Sequence, residues 1–231
     1  ESNFYHQYLN IRNNTIWKCN SIYNAYENYS WRFNCSLPDK SKIKGSTYNE
    51  SEKVLMAIGE GLKQTSERQD SEGFLAYCFS ILQWGGVTKG NYSRLREMGK
   101  EIVPYFENTI IKLNPEITDT RNDFSDVIMN SGFSKIYSLL IDDFVIYDSR
   151  VGAALGLLVK QYLTDRNINY VPDVLDFSYG NARPTKSDDG KINRRNPSND
   201  KYKFKALNND DQKHIKNNIY ANWLLKKLSE Q

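Results

Sequence analysis

The chain has 231 residues and a mass of 26.9 kDa, enough for one full-sized domain or two small ones, and its 39% hydrophobic residues can fill a core. This hydrophobic content argues against a disordered chain, and the 26% of charged residues is ordinary for a globular protein. The longest apolar run, Val151 to Val159, is about half as long as a membrane-spanning helix. The first residues lack a basic start followed by an apolar stretch, so we expect no signal peptide, no membrane partner and a cytoplasmic location.

The cysteine and histidine content argues against metal and disulfide chemistry. Cys19, Cys35 and Cys78 form no CxxC pair, and only His6 and His214 offer imidazole ligands. Structural zinc sites and iron–sulfur clusters need closely spaced Cys or His residues, and disulfide scaffolds need a denser set. We therefore expect no metal ion and no cofactor.

The predicted elements fall into two parts. Residues 1–48, rich in Tyr, Trp and Asn, predict an irregular or partly β leader packed on the helices, and residues 49–231 predict one helical domain. Asn49 or Ser51 is expected to cap the first helix. Further helices are expected around Phe74 to Ile81, from Asn91 with an interruption at Pro104, from Ser149 to about Arg166, and from Asp210 to about Ser229. The Ser149 helix should place Val151, Leu155, Leu158, Val159 and Tyr162 on one side. Because alternating strand patterns are scarce, we predict a mainly α fold.

Basic residues are concentrated late in the chain, where residues 180–209 read as a long loop. From Gly180 to Lys216 there are 10 basic and 5 acidic residues, a net charge of +5, so the rest of the chain carries −2 of the total +3. Clustered cations in a loop attract polyanions such as DNA. The alternative is a solvated surface loop without a partner.

The clearest site pattern lies between Asn130 and Leu155. A turn at Gly132 is expected to lead into a short helix near Ser134, and Asp148 stands directly before the Ser149 helix. An aspartate there accepts hydrogen bonds from the first helical amides and is stabilised by the helix dipole, so it should stay ionised. Such a carboxylate can stabilise an electron-deficient sugar carbon or take a proton from attacking water. The alternative is that Asp148 only caps the helix.

The segment Val145-Ile-Tyr-Asp-Ser-Arg-Val151 resembles the Val-Asp-Thr-His-Val-type element of helix-hairpin-helix DNA glycosylases. Other short pieces are similar to bacterial proteins with the 8-oxoguanine DNA glycosylase fold, a group that includes anti-phage enzymes acting on glucosylated hydroxymethylcytosine. These pieces are Gln83-Trp-Gly-Gly86, Ser134-Lys-Ile, Ile146 to Leu155, Phe177-Ser-Tyr-Gly180, Ala182-Arg-Pro184 and Trp223-Leu-Leu225. The similarity runs discontinuously from about residue 74 to the end.

The resemblance implies a DNA glycosylase that grips double-stranded DNA through a hairpin, everts a modified base and cuts its N-glycosidic bond with Asp148. The base pocket would hold Gln83, Trp84 and Tyr147, although a tryptophan after an apolar helical face also suits a core. DNA contacts would come from Gly132 and Ser134 in the turn and from Arg150, Arg183, Arg194 and Arg195. The turn departs from the family pattern, because Ser134 stands where the hairpin usually has its second glycine.

The same resemblance suggests that Lys135 is a nucleophile that attacks the sugar, as in bifunctional glycosylases. Lys135 lies 13 residues before Asp148, fewer than expected for those enzymes, and a phosphate contact or an exposed lysine is the alternative. Arg150 either binds phosphate, braces Asp148 or forms a structural salt bridge. We expect a monomeric DNA N-glycosylase without a cofactor. The alternatives are an inactive DNA- or RNA-binding module on this scaffold and a protein-binding helical scaffold.

Overall fold

The computed structural model describes residues 5–10, 14–116, 119, 122–181 and 195–230. This part of the chain is mainly helical, as predicted. It contains α1 (Ile22–Glu27), α2 (Tyr48–Glu67), α3 (Ser71–Trp84), α4 (Asn91–Glu97), α5 (Ile102–Leu113), α6 (Phe133–Leu140), α7 (Ser149–Asp165) and α8 (Asp211–Ser229). Short 3-10 turns lie at Gly99–Glu101 and Asp173–Leu175. None of the described helices is both long and apolar enough to span a bilayer.

Two antiparallel hairpins precede the long helices. Strand β1 (His6–Asn10) pairs with β2 (Thr15–Cys19), and β3 (Phe33–Ser36) pairs with β4 (Lys42–Gly45). The second hairpin is tied to the helical body, because Phe33 and Cys35 are buried in the same core cluster as α2 and α3. This attachment brings the leader to the end of α3.

The first long helix begins earlier than the sequence pattern indicated. Thr47 is its N-cap: the Thr47 hydroxyl accepts from the Glu50 amide, and the Glu50 carboxylate accepts from the Thr47 amide. The assignment of the cap to Asn49 or Ser51 is therefore wrong, and Ser51 is instead buried within the helix. The Thr47-x-x-Glu50 motif of a capping box, which precedes the helical spacing of apolar residues, was the sequence signal for this cap.

The expected break at Pro104 is also wrong. Pro104 is the third residue of α5, and in a first turn its missing N–H needs no helical partner. The interruption falls at the 3-10 turn of Gly99–Glu101, where Gly99 has a φ of 55°. The chain thus changes direction just before α5.

Two clusters of buried apolar side chains form the core. The larger one is contributed by β3, α2, α3, α4, α5, α6 and part of α8. The smaller one joins α7 and α8 to the segments around Phe177 and Tyr202. Tyr162 is half exposed, so the buried face of α7 runs through Leu155, Val159 and Leu163 instead. The N-terminal ends of α6 and α7 meet where these clusters adjoin.

Replacing Thr47 by Ala should lower the free energy of unfolding by about 1 kcal/mol, because α2 loses its side-chain cap. Asn49→Ala is the matched control and should leave it nearly unchanged, since no capping bond depends on Asn49. Urea unfolding curves with equal m-values measure both changes. A larger loss in Asn49→Ala than in Thr47→Ala would contradict the capping assignment.

Candidate functional site around Lys135 and Asp148

Asp148 caps α7 and remains open to solvent on one side. Its Oδ1 accepts from the amides of Arg150 at 2.8 Å and Val151 at 3.1 Å. The side chain is 17% exposed, so the carboxylate is neither sealed in the core nor fully solvated. Oδ2 accepts from neither amide, and it is the oxygen that faces the other charged groups of the site.

Lys135 lies directly beside this carboxylate. It is the third residue of α6, its side chain is only 4% exposed, and its Nζ lies 3.8 Å from Asp148 Oδ2. The ammonium also donates to the carbonyl of Ser131 at 2.7 Å. The alternative of an exposed helix-start lysine is therefore wrong, and Lys135 and Asp148 lie next to each other across the junction of α6 and α7.

A glycine makes room for the lysine side chain. A Cβ placed on Gly85, the residue that follows α3, would lie 2.6 Å from Lys135 Cδ and 2.7 Å from Cε. The backbone of Gly85 is right-handed, with φ of −77°, so its conformation does not require glycine. Space for Lys135 is the reason that a larger residue does not fit there.

The pKa of Lys135 and the pKa of Asp148 are both lowered from their ordinary values. Burial lowers the pKa of Lys135, and the Asp148 carboxylate opposes this shift only in part. Burial raises the pKa of Asp148, but the charge of Lys135 and the amides of Val151 and Arg150 outweigh it, so that pKa is lowered overall. The positive end of α6 disfavours an ammonium in the first turn as well. The site thus combines a lysine that loses its proton more easily with a carboxylate that stays charged.

A second cation faces the same carboxylate from outside. Arg150 Nη1 lies 3.9 Å from Asp148 Oδ2, and the side chain is 56% exposed. The Arg150 guanidinium also stacks over the ring of Trp31, 4.7 Å from its centroid. Trp31 in turn donates from Nε1 to the carbonyl of Trp84 at 3.2 Å.

Sequence reasoning missed Trp31 and His214. Trp31 belongs to the leader, and its place over Arg150 depends on contacts across more than a hundred residues, for which the sequence held no signal. His214 of α8 is buried, and its Nε2 lies 2.8 Å from the Tyr147 carbonyl. Burial lowers the pKa of His214, so the neutral ring that donates from Nε2 suits this bond. His214 therefore fixes the backbone immediately before Asp148.

The base-pocket residues are not brought together as expected. The ring of Tyr147 is fully buried, with its hydroxyl 2.8 Å from the Ser178 carbonyl and 3.0 Å from Asn217 Oδ1, so its assignment to a base pocket is wrong. Gln83 accepts from the Ser36 amide at 2.8 Å and so ties α3 to the leader. Trp84 is mostly buried and lines a groove that neither Lys135 nor Asp148 borders.

The turn before α6 is not arranged to hold a phosphate. The amides of Gly132 and Phe133 both donate to Asn130 Oδ1, at 2.8 and 3.1 Å. Ser134 is fully buried and donates to the Tyr147 carbonyl, so the expected phosphate contacts of Gly132 and Ser134 are wrong. The described residues between Leu113 and Phe133 form no helix, so this turn does not join two helices. The side-chain oxygen of Asn130 therefore occupies the position in which these amides would bind a phosphate.

Of the three arginines expected in the basic segment, one can be located. Arg195 donates from Nη1 to the hydroxyl of Ser149, the first residue of α7. Arg183 and Arg194 lie outside the described residues. Arg195 and Arg150 thus flank the start of α7 and the carboxylate that caps it.

Comparison with known proteins gives no match that would indicate a function. No family model matches the chain, and no curated protein or solved structure matches it significantly. The resemblance to DNA glycosylases that the sequence around Asp148 suggested therefore stays a prediction. The chemistry of the Lys135 and Asp148 pair has to support any function on its own.

Asp148→Asn should lower the pKa of Lys135 further, because the carboxylate is what opposes the effect of burial. An Asn Oδ1 can still accept the capping amides, so α7 should keep its start. The 13Cε shift of labelled lysines, followed against pH, measures the change. Asp210→Asn is the matched control, since Asp210 caps α8 through the Lys213 amide. An unchanged Lys135 titration in Asp148→Asn would refute the coupling.

The pair should also make stability depend on pH. Since folding lowers the pKa of Asp148, its carboxylate stabilises the fold above its unfolded-state pKa of about 3.9, and this contribution disappears as the pH falls through the lower folded-state value. Asp148→Asn should therefore cost about 1–3 kcal/mol near neutral pH, where it leaves the ammonium unpaired. The difference from wild type should shrink below about pH 4. Urea unfolding at several pH values measures it, and a difference that grows in acid would contradict it.

Proposed function

We propose that the protein is a DNA N-glycosylase that everts a modified base from double-stranded DNA and cleaves its N-glycosidic bond. The observation that carries the proposal is the buried Lys135 ammonium 3.8 Å from the partly exposed Asp148 carboxylate at the start of α7. Base excision needs a fixed negative charge near the sugar and a nucleophile for C1′, and this pair supplies both.

The carboxylate would act on the charge that develops on the sugar. As the bond between C1′ and the base nitrogen breaks, the electron pair leaves with the base and positive charge spreads over C1′ and the ring oxygen. The Asp148 carboxylate stabilises that charge because it stays ionised and is held by two backbone amides. The departing base takes up a proton from solvent.

Lys135 would then add to C1′. Its lowered pKa favours loss of the ammonium proton to water, which frees the nitrogen lone pair while Asp148 stays ionised. That pair forms the bond to C1′; the C1′–O4′ bond then breaks, O4′ takes up a proton that the nitrogen loses, and a protonated Schiff base joins Lys135 to the abasic site. In a monofunctional enzyme, water would add instead, with Asp148 accepting its proton.

The arginines near the site support contact with the DNA backbone. Arg150 is more than half exposed, and Arg195 lies at the first residue of α7. These side chains, together with the net charge of +5 between residues 180 and 216, would bind the phosphates that the amides of the turn before α6 do not bind. The similarity to anti-phage glycosylases extends the proposal to a role against phage with modified DNA.

The test is base release from genomic DNAs that carry different natural modifications, with mass spectrometry of the released bases and counting of abasic sites. Asp148→Asn should reduce the single-turnover rate about 100-fold or more, because the charge that stabilises the sugar cation is lost. Asp210→Asn should retain the wild-type rate. Equal rates in Asp148→Asn and wild type, or DNA binding without base release from any of these DNAs, would overturn the proposal.

A borohydride trap tests the role of Lys135. Lys135→Met should abolish covalent trapping of the protein on DNA, and Gly85→Ala should weaken it, because the new Cβ displaces the lysine stem without removing a reacting group. Lys160→Met is the matched control, since Lys160 also donates to a carbonyl, that of Pro197. Trapping that persists in Lys135→Met would exclude Lys135 as the nucleophile.

A further inference from the structure

A second surface of the molecule has the features of a binding groove. It has a volume of about 900 Å³ and is lined by α2, the last turn of α6, residues 141–146, the last turns of α8 and three tyrosines. Lys135 and Asp148 do not line it, and the chemistry proposed above makes no use of it. Its occupant is therefore a separate question.

The groove exposes an unusual amount of apolar and aromatic surface. Tyr26, Tyr29 and Tyr48 are all exposed, and the Tyr48 ring contacts Tyr26 and Tyr29 edge-on, at 5.0 and 5.9 Å between ring centroids. Met56 is 70% exposed on α2 beside them. Tyrosine and methionine are enriched at protein interfaces, and contiguous exposed apolar surface marks interaction sites.

The charge of the groove has the opposite sign to that of the protein. Its lining contains the acidic residues Glu52, Glu60, Asp142 and Asp143 but only two lysines, so it carries −2 while the chain carries +3. Lys63 pairs with Asp142 at 3.7 Å, and Lys226 pairs with Asp143 at 3.3 Å. The unbalanced charge is therefore that of the two glutamates.

These two glutamates flank the exposed methionine on one face of α2. Glu52, Met56 and Glu60 are spaced by four residues, so they form a single stripe in which an apolar side chain lies between two carboxylates. Glu52 accepts a hydrogen bond from the Tyr48 hydroxyl at 3.4 Å, and Glu60 accepts one from Gln64 Nε2 at 2.7 Å. The groove thus offers exposed apolar surface beside two carboxylates whose hydrogen-bond partners are neutral.

We propose that this groove docks a basic amphipathic helix of a partner protein. The apolar face of such a helix would cover the tyrosines and Met56, and its lysines or arginines would pair with Glu52 and Glu60. DNA is a poor occupant, since phosphates would meet the same two carboxylates. Docking here would leave the start of α7 uncovered, so the partner could be bound while Asp148 faces DNA.

The test uses a fluorescein-labelled amphipathic peptide of about 18 residues, five helical turns, with leucines on one face and lysines on the other. A companion peptide carries glutamates in place of the lysines. Met56→Lys removes the apolar anchor and reverses the local charge. Ile111→Lys is its matched control, because Ile111 is a similarly exposed apolar residue, 63% exposed on α5. Glu52→Gln/Glu60→Gln is compared with Glu67→Gln/Glu97→Gln.

The lysine peptide should bind about 10-fold more tightly than the glutamate peptide, and Met56→Lys should weaken it about 10-fold relative to Ile111→Lys. The Glu52/Glu60 variant should weaken binding more than the Glu67/Glu97 variant. Amide shifts caused by the peptide should fall on the residues that line the groove. Equal binding of both peptides, equal effects of matched variants, or shifts outside the groove would overturn the proposal. So would a dimer in sedimentation that Met56→Lys dissociates, because the occupant would then be a second copy.

Discussion

The organisation of the candidate site depends on one ion pair, between the buried ammonium of Lys135 and the carboxylate of Asp148. A buried ammonium is costly unless an opposite charge accompanies it, and the first turn of α6 adds an unfavourable dipole. Asp148 supplies that charge, and it is kept ionised by the amides that begin α7. The two helix starts therefore cannot be separated without leaving one charge unpaired.

The surrounding structure holds this pair in place. The carbonyl of Tyr147 is bonded by His214 from α8 and by Ser134 from α6, so the backbone before Asp148 is fixed from two directions. Gly85 leaves the space in which the Lys135 side chain lies. Ser134 and Tyr147, which the sequence suggested for DNA or base contact, thus serve to position the charged pair, and the proposal assigns contact with DNA to Arg150 and Arg195.

Local patterns predicted most of the long helices and the cap of α7, because apolar spacing and an Asp before a helix are encoded over a few residues, but they missed α1 and the cap of α2. The pairing of Lys135 with Asp148 was expected only from the resemblance to DNA glycosylases, not from local patterns. They could not show that Asn130 occupies the turn amides, that Tyr147 is enclosed by Ser178 and Asn217, or that Trp31 covers Arg150. Each of these contacts joins distant segments, and a single sequence carries no signal for such pairings. The groove beside α2 escaped notice for the same reason.

The most direct measurement is the affinity for DNA in which one nucleotide is replaced by a cationic pyrrolidine, a mimic of the sugar cation, compared with an uncharged tetrahydrofuran at the same position. A carboxylate that stabilises the transition state should favour the cation, so wild type should bind the pyrrolidine DNA about 100-fold more tightly. Asp148→Asn should lose most of this preference, and Asp210→Asn should keep it. The same preference in Asp148→Asn and wild type, or none in wild type, would contradict a role for Asp148 at the sugar.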